Sequence, residues 1–296
     1  MKFGVREICD VVFKAKASVT IGNTTFQKGQ PVLYIDTAKT SNLEAAATTV
    51  YAQGGRGNSR LIAWEGEKTL TFTVEDALLS PMGFAMLSGA GLMEAASDNA
   101  ITVHATTYAI ADADGKIDLA EALGTDSIDA TSPVFVLATE ADGSIGQTYT
   151  NIYAISEKTL EPADGVTTGF PKNATVFVDY YVKKTANAMQ FEIDSKNFAG
   201  YYYVEAATLW RRQDNGKDMP AELIFPNVKI QSNFTFAMAS SGDPSTFTFT
   251  MDAMPGYTVY DSKNKVLCAI QIIADSAADA ENAINHDSIK DATANS

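Results

Sequence analysis

The sequence predicts a mainly β protein: a β-sandwich or barrel flanked by a short helix and interrupted by a small inserted antiparallel β domain. Three observations predict it. Short period-2 alternations of apolar and polar residues recur through most of the chain, Gly-Asn and Asp-Gly turn signals separate them, and the balance of 46% hydrophobic to 20% charged residues is that of an ordered globular protein.

Residues 1–93 read as the first part of the principal β domain. KASVTIG, a turn at Gly22-Asn23, TTFQ, a second turn at Lys28-Gly29 and PVLYID form a meander. In residues 41–52, SNLEAAATTVYA, the alanines and the Ser41-x-x-Glu44 spacing predict a short capped helix. A glycine-rich basic loop follows, Gly54-Gly55-Arg56-Gly57-Asn58-Ser59-Arg60. It lacks the Gly-Lys-Ser/Thr ending of a phosphate cradle, which leaves a flexible connection or an arm that docks on a neighbouring subunit through Arg56 and Arg60. Leu70, Phe72 and Val74 then alternate with threonines as in a half-buried strand, and Pro81 opens a short apolar helix stopped by glycines.

Residues 94–170 change texture. Turn signals at Asp114-Gly115, Asp142-Gly143 and Asp164-Gly165 separate strand-like TVHATTYAI, PVFVLAT and TNIYAI, and this section reads as the inserted accessory region. Longer strands return over 171–275, through TVFVDYYV, MQFEID, GYYYVEAATLW, AELIFPNVKI, NFTFAMAS, STFTFTMDAM and VLCAIQII, as the second part of the principal domain. Residues 276–296 lose aromatic and β-branched density and read as an acidic polar tail.

The formal net charge of -14, from 36 acids against 22 bases, repels nucleic-acid phosphates and anionic membranes. A sequence-reading DNA binder is not expected on that ground; a conduit whose wall must not hold a sliding polyanion is compatible with it. Cys9 and Cys268, nearly the whole chain apart, read as reduced thiols packed as small hydrophobes. The opening MKFGVREICDVVFKAK lacks the apolar core of a signal peptide, and no apolar run reaches transmembrane length, so assembly in the cytoplasm is expected.

Catalytic groups are sparse. His104 and His286 are the two histidines, with no partners spaced for nucleophilic or zinc chemistry, so no enzyme activity and no cofactor are expected. Glu75 and Asp76 are adjacent in a strand, point to opposite faces and cannot flank one substrate bond. Asp112, Asp114, Asp118 and Glu121 overlay ligand positions of a calcium loop, but Ile110 stands where the first ligand belongs. The favoured reading is a hairpin turn with solvated acids; the alternative is a calcium-dependent binding module. Arg211 and Arg212, beside the Asp214-Asn215-Gly216-Lys217 turn, suit a rim ion pair or a subunit contact.

Two stretches resemble tail tube or major tail proteins of bacteriophages: YAQGGRGNSRLIAWEGEKTLTFTVEDALLSPMGFAMLSGAGL, from Tyr51 to Leu92, and GYYYVEAATLWRRQDNGKDMPAELIFPNVKIQSNFTFAMASSGDPSTFTFTMDAMPG, from Gly200 to Gly256. In the second, the order of features carries the likeness: paired strands, a charged turn from Arg211 to Asp218, a strand ending Ile224-Phe225-Pro226, then Gly242-Asp243-Pro244-Ser245 and a Phe/Thr alternation. The resemblance implies six copies in a ring, sheets joined into one closed barrel, and rings stacked into a tube in the virion tail. Phage DNA passes through without sequence-specific binding. It implies as partners a sheath if the tail contracts, a terminator and a baseplate, and it favours the arm reading of Arg56 and Arg60, with Arg211, Arg212 and Asp243 as further contact candidates. A head-tail connector, decoration or baseplate protein of related fold is the alternative of the same class. STFTFTMDAM is expected to present a strand edge that a sister copy covers.

Overall fold

The computed structural model describes residues 2–149, 153–213, 216–236, 238, 240–241 and 245–273. Strands β1 (Phe3–Val5), β2 (Asp10–Ala15), β3 (Val19–Ile21), β4 (Thr24–Phe26), β5 (Pro31–Ile35), β6 (Ala38–Gly54) and β7 (Ser59–Asp76) lead to helix α1 (Pro81–Ser88) and β8 (Gly91–Glu94). There follow β9 (Ile101–Ala111), β10 (Ile117–Asp118), helix α2 (Ala120–Leu123), β11 (Ser127–Ile128), β12 (Phe135–Thr139), β13 (Ile145–Tyr149), β14 (Tyr153–Ser156), β15 (Thr159–Pro162) and β16 (Ala174–Lys184). The chain closes with β17 (Met189–Glu192), β18 (Tyr201–Arg212), β19 (Asp218–Ile230), β20 (Phe247–Ala253) and β21 (Ala269–Ile272). The protein is mainly β, as its alternations predict.

Two compact units share the chain. One is built from the N-terminal residues up to Leu92 together with residues from Phe191 on; the other is Met93–Gln190. A two-stranded ribbon, β8 with β17, carries the chain at the crossings. The interrupted section therefore runs to residue 190, not 170. The physical reason is β16, which pairs residue for residue with β9 from Ala174↔Ala111 to Lys184↔Ile101 and so belongs to the second unit.

In the first unit a nine-stranded sheet runs β5-β2-β18-β19-β20-β7-β6, with β1 on β18 and β21 on β19. Alternation decides its faces: Val11, Phe13 and Ala15 of β2, Val204 and Ala206 of β18, Leu223 and Phe225 of β19, Phe249 and Met251 of β20, and Phe72 and Val74 of β7 enter one core. Phe72 stacks on Phe225 at 4.9 Å between ring centroids and Phe13 meets Phe249 at 5.9 Å. Each such ring contributes on the order of 1.5–3 kcal/mol by leaving water. Pro226, with no N–H to donate, sits where the β18–β19 register shifts between Tyr202 and Val204, the kind of bulge that tolerates proline inside a strand.

Helix α1 forms as Pro81 predicts. Ser80 caps it, its Oγ accepting from the Gly83 N–H at 3.0 Å, and Gly89 ends it in the left-handed region at φ 69°. Met86 and Leu87 bury into the sheet core, while Phe84 gathers Phe191, Phe234 and Phe236 at 5.0–5.3 Å. NFTFAMAS is thereby corrected: Phe234 and Phe236 alternate like strand residues, yet among the described residues of that segment no strand forms, because both rings pack on the helix.

Two further expectations change. Residues 41–52 are not a helix but most of β6, paired with β7 from Ala38↔Asp76 to Gly54↔Ser59. The Ser41 hydroxyl, expected to cap, instead accepts from the Cys9 N–H at 3.0 Å. STFTFTMDAM is an edge only in part: β7 pairs with Phe247–Asp252 on one side, whereas β19 pairs only with Met251–Ala253 on the other and leaves Phe247–Phe249 without a strand there. The strands of this sheet with a single neighbour among the described residues are β1, β5, β6 and β21. Period-2 alternation marks a strand but carries no information about its neighbours.

The second unit's eight-stranded sheet runs β13-β12-β16-β9-β10-β15-β14, with β11 on β16. Val136, Val176, Val178, Tyr180, Ile117 and Leu160 face one core. Cys9 is buried and Cys268 half-buried, both as free thiols; burial pushes the Cys9 thiol up and that of Cys268 to about 11. Residues 276–296, with His286, lie outside the described residues.

Candidate assembly interface

The hairpin of β6 and β7 outgrows the sheet that holds it. β20 covers β7 only over Thr71–Asp76, so Ala45–Gly54 and Ser59–Leu70 pair with each other alone. At about 3.3 Å per residue this ribbon reaches roughly 33 Å beyond the sheet. The turn at its tip needs glycine at two places, Gly55 at φ 77° and Gly57 at φ 90°, and Asn58 joins them in the left-handed region at φ 50°. Its closing bonds are Asn58 N–H to Gly55 O at 3.2 Å and Asn58 Nδ2 to Gln53 Oε1 at 3.2 Å.

The ribbon exposes apolar side chains. Val50 pairs with Trp64 and Ala52 with Ile62, which puts Val50, Ile62 and Trp64 on one face by alternation. They are 63%, 56% and 52% exposed, and Leu61 is 67% exposed. A two-stranded ribbon is marginal in water, and a run of large exposed apolar groups marks an interaction surface. Sequence reasoning singled out the arginines at the tip and missed these residues; the signal was LIAW, an apolar run without alternation directly after a glycine-rich turn.

The sheet's borders are open within the described residues. β6 pairs only with β7 and β5 only with β2 at the two ends, and β1 only with β18 and β21 only with β19 beside them. β6 carries three register shifts, which blunt an edge, but no proline and one lysine, Lys39.

The face of this sheet turned away from the core is acid-rich. Register places Tyr201, Lys229, Asp252, Thr71 and Glu44 in one row, Tyr34, Val12, Glu205 and Ile224 in another, and Asp10, Ala207, Glu222 and Gln271 in a third. Glu75 adds a carboxylate between Thr40 and Thr246, whose hydroxyls both donate to it and hold it below the usual carboxylate range. Lys14 pairs with Glu205. Glu222, half-buried, is pushed above the usual range by burial and then by the Glu205 charge. On this face Asp10, Glu44, Glu75, Glu205, Asp218, Glu222 and Asp252 stand against Lys14, Arg211 and Lys229.

The expected contact residues fall in different places. Arg56 sits exposed at the ribbon tip, and the Arg60 guanidinium lies over the Tyr51 ring at 4.1 Å, stiffening that face. Arg211 makes a bidentate pair with Asp218 at the end of the β18–β19 hairpin, Nε to Oδ1 and Nη2 to Oδ2 both 2.6 Å, which lowers the Asp218 carboxyl. The Arg212 N–H closes the same hairpin on Lys217 O at 2.9 Å. Asp243 lies outside the described residues.

The four acids of the calcium-like run do not converge. Asp112 Oδ1 accepts the N–H groups of Asp114 at 2.9 Å and Lys116 at 2.8 Å, and Gly115 at φ 83° makes the turn into β10. Asp118 Oδ1 accepts from the Ala120 N–H, and Glu121 stands exposed on α2. Among the described residues no three metal-ligating side chains gather.

No curated protein matches the chain. The sequence model of the YomU/Tube protein family does, over residues 17–269. That span takes in β3 to β20, both long hairpins and the whole interrupted section among them, so the chain belongs to the YomU/Tube protein family, a phage tail tube-type family.

Proposed function

We propose that the protein is the protomer of a phage tail tube, assembling through its own copies into stacked rings, six subunits to a ring, that conduct the genome. The observation that carries this reading is the bare β6–β7 ribbon: its exposed Val50, Ile62, Trp64 and Leu61 have no cover in the chain's own described residues. Ring closure joins the free border β6 of one copy to the free border β5 of the next, which removes both edges; the interface is head-to-tail and closes by rotation. The ribbon then reaches a further copy, and stacking follows.

The acid-rich sheet face suits the wall of the conduit. A wall on which carboxylates outnumber cations does not condense on phosphate and does not release counterions, so DNA slides rather than sticks. The virion tail is the destination, reached from the host cytoplasm, and the partners are sister copies and the other tail proteins. Negative-stain microscopy of the purified chain tests the reading: rings or tubes with sixfold symmetry are expected, and a monomer that persists at high protein concentration overturns it.

A further inference from the structure

The second unit turns an unusual face to water. In the ribbon of β9 and β16, Ala105, Ala109 and Ala111 with Val176, Val178, Tyr180 and Val182 face the core. The opposite face is laid out in rungs by register: Tyr181 across from His104, Asp179 across from Thr106, Phe177 across from Tyr108. Same-face neighbours along a strand are about 6.6 Å apart, which sets the two aromatic rungs roughly 13 Å from each other with the polar rung between them. The rings meet at 5.3 Å in both rungs, tilted 57° for His104 with Tyr181 and 69° for Tyr108 with Phe177. Asp179 Oδ2 holds His104 Nε2 at 3.1 Å, and Tyr108 is 59% exposed. None of the six belongs to the unit's core.

We propose that this face binds a neutral oligosaccharide. Pyranose rings present C–H faces that stack on aromatic rings and hydroxyls that hydrogen-bond to carboxylate, imidazole and hydroxyl partners. Alternating aromatic and polar rungs offer both chemistries in a line three sugar rings long. A protein partner is favoured by a continuous apolar patch with a polar rim; here Asp179 and Thr106 sit in the middle, with the aromatic rungs on two sides and Phe135 of β12, across from Asp179, on a third, while Leu137 lies across from Phe177. Charge selects among sugars. The rungs themselves carry one carboxylate and one imidazole, and the chain's net charge of -14 repels acidic polymers, so the ligand is uncharged.

Isothermal titration calorimetry of the full chain with cellohexaose and chitohexaose, and with a hyaluronate hexasaccharide as the charged control, tests the proposal. Saturable binding of at least one neutral chain and none of the acidic one is expected. Tyr108→Ala with Phe177→Ala should weaken that binding by about tenfold or more while leaving the melting temperature and ring formation as in the parent. Asp179→Asn, which keeps the rings, should weaken it less. Absence of heat with both neutral sugars overturns the proposal, as does binding that the double substitution leaves intact. Loss of rings in the double variant also overturns it, and assigns the face to contact between copies. The tube reading stands or falls separately, on whether the parent chain forms rings.

Discussion

Val50 and Trp64 stand directly opposite each other across the β6–β7 ribbon, and each keeps more than half of its surface in water. With Ile62 beside them they form the apolar face of an arm that the rest of its own sheet does not cover. Ile62→Asp combined with Trp64→Asp should therefore abolish higher-order assembly. The fold should be spared, with stability changed by no more than about 0.5 kcal/mol, because neither side chain touches the core. Sedimentation velocity gives the assembly state and a urea melt gives the stability; loss of both together would contradict the assignment.

Gly89 and Gly29 separate two costs of replacing a left-handed glycine. Both have positive φ, 69° and 85°, but a Cβ at Gly89 would lie 2.4 Å from the carbonyl carbon of Phe198, whereas nothing lies within 4 Å at Gly29. Gly29→Ala should cost about 1 kcal/mol, the conformational penalty alone. Gly89→Ala should cost on the order of 3 kcal/mol, since backbone on either side has to shift. Equilibrium urea denaturation of the two variants side by side measures the difference.

Asp129 organises a turn in the second unit. Its carboxylate accepts from the hydroxyl and N–H of Thr131 and from the hydroxyls of Ser132 and Thr102, which hold it down to about 2. A depressed folded value means the unfolded chain takes up the proton first as pH falls. The contribution to stability is therefore full above pH ~4 and lost between there and pH ~2. Asp129→Asn should lower stability at pH 7 by about 1–3 kcal/mol, with donors left on a weaker acceptor, and the gap should close by pH 2. Thermal melts across that window read it directly.

Glu222 has the opposite sign. Burial and the neighbouring Glu205 raise its folded value, so the folded chain holds this proton more tightly than the unfolded one. Ionisation above that value works against the fold, and acidification through it relieves the penalty. Glu222→Gln should raise stability at pH 7 by less than about 1 kcal/mol, the group being only partly shielded from solvent, and change little at pH 4. A melting temperature that falls at pH 7 would show that the carboxylate has a favourable partner instead.

Much of this architecture was legible in the residues, and the failures have physical causes. Leu70, Phe72 and Val74 announced a half-buried strand because one of its faces is core. Residues 41–52 misled because only Ser41 and Leu43 turn toward the core and from Ala45 outward β6 is largely in water: little alternation is imposed there, and the alanines and Ser41-x-x-Glu44 spacing were free to mimic a capped helix. The Phe/Thr alternation of β20 was read correctly as a strand, but it forms a border only over Phe247–Phe249, since neighbours are chosen by long-range register. Of the candidate site, the glycine-rich loop was recognisable as a turn with Arg56 and Arg60 at its tip. The apolar arm below it was hidden, because exposed hydrophobic residues look like core until their partners are known.

The ribbon of β8 and β17 is the doorway to the second unit. The chain leaves and re-enters the sheet unit on neighbouring antiparallel strands, with the Ala95 N–H still bonded to Ala188 O at 2.9 Å just past them. Strand neighbours are about 4.8 Å apart, so removing everything between them leaves ends that a two-residue turn can rejoin. Such a gateway makes the second unit separable: a chain shortened across this doorway keeps every strand of the nine-stranded sheet.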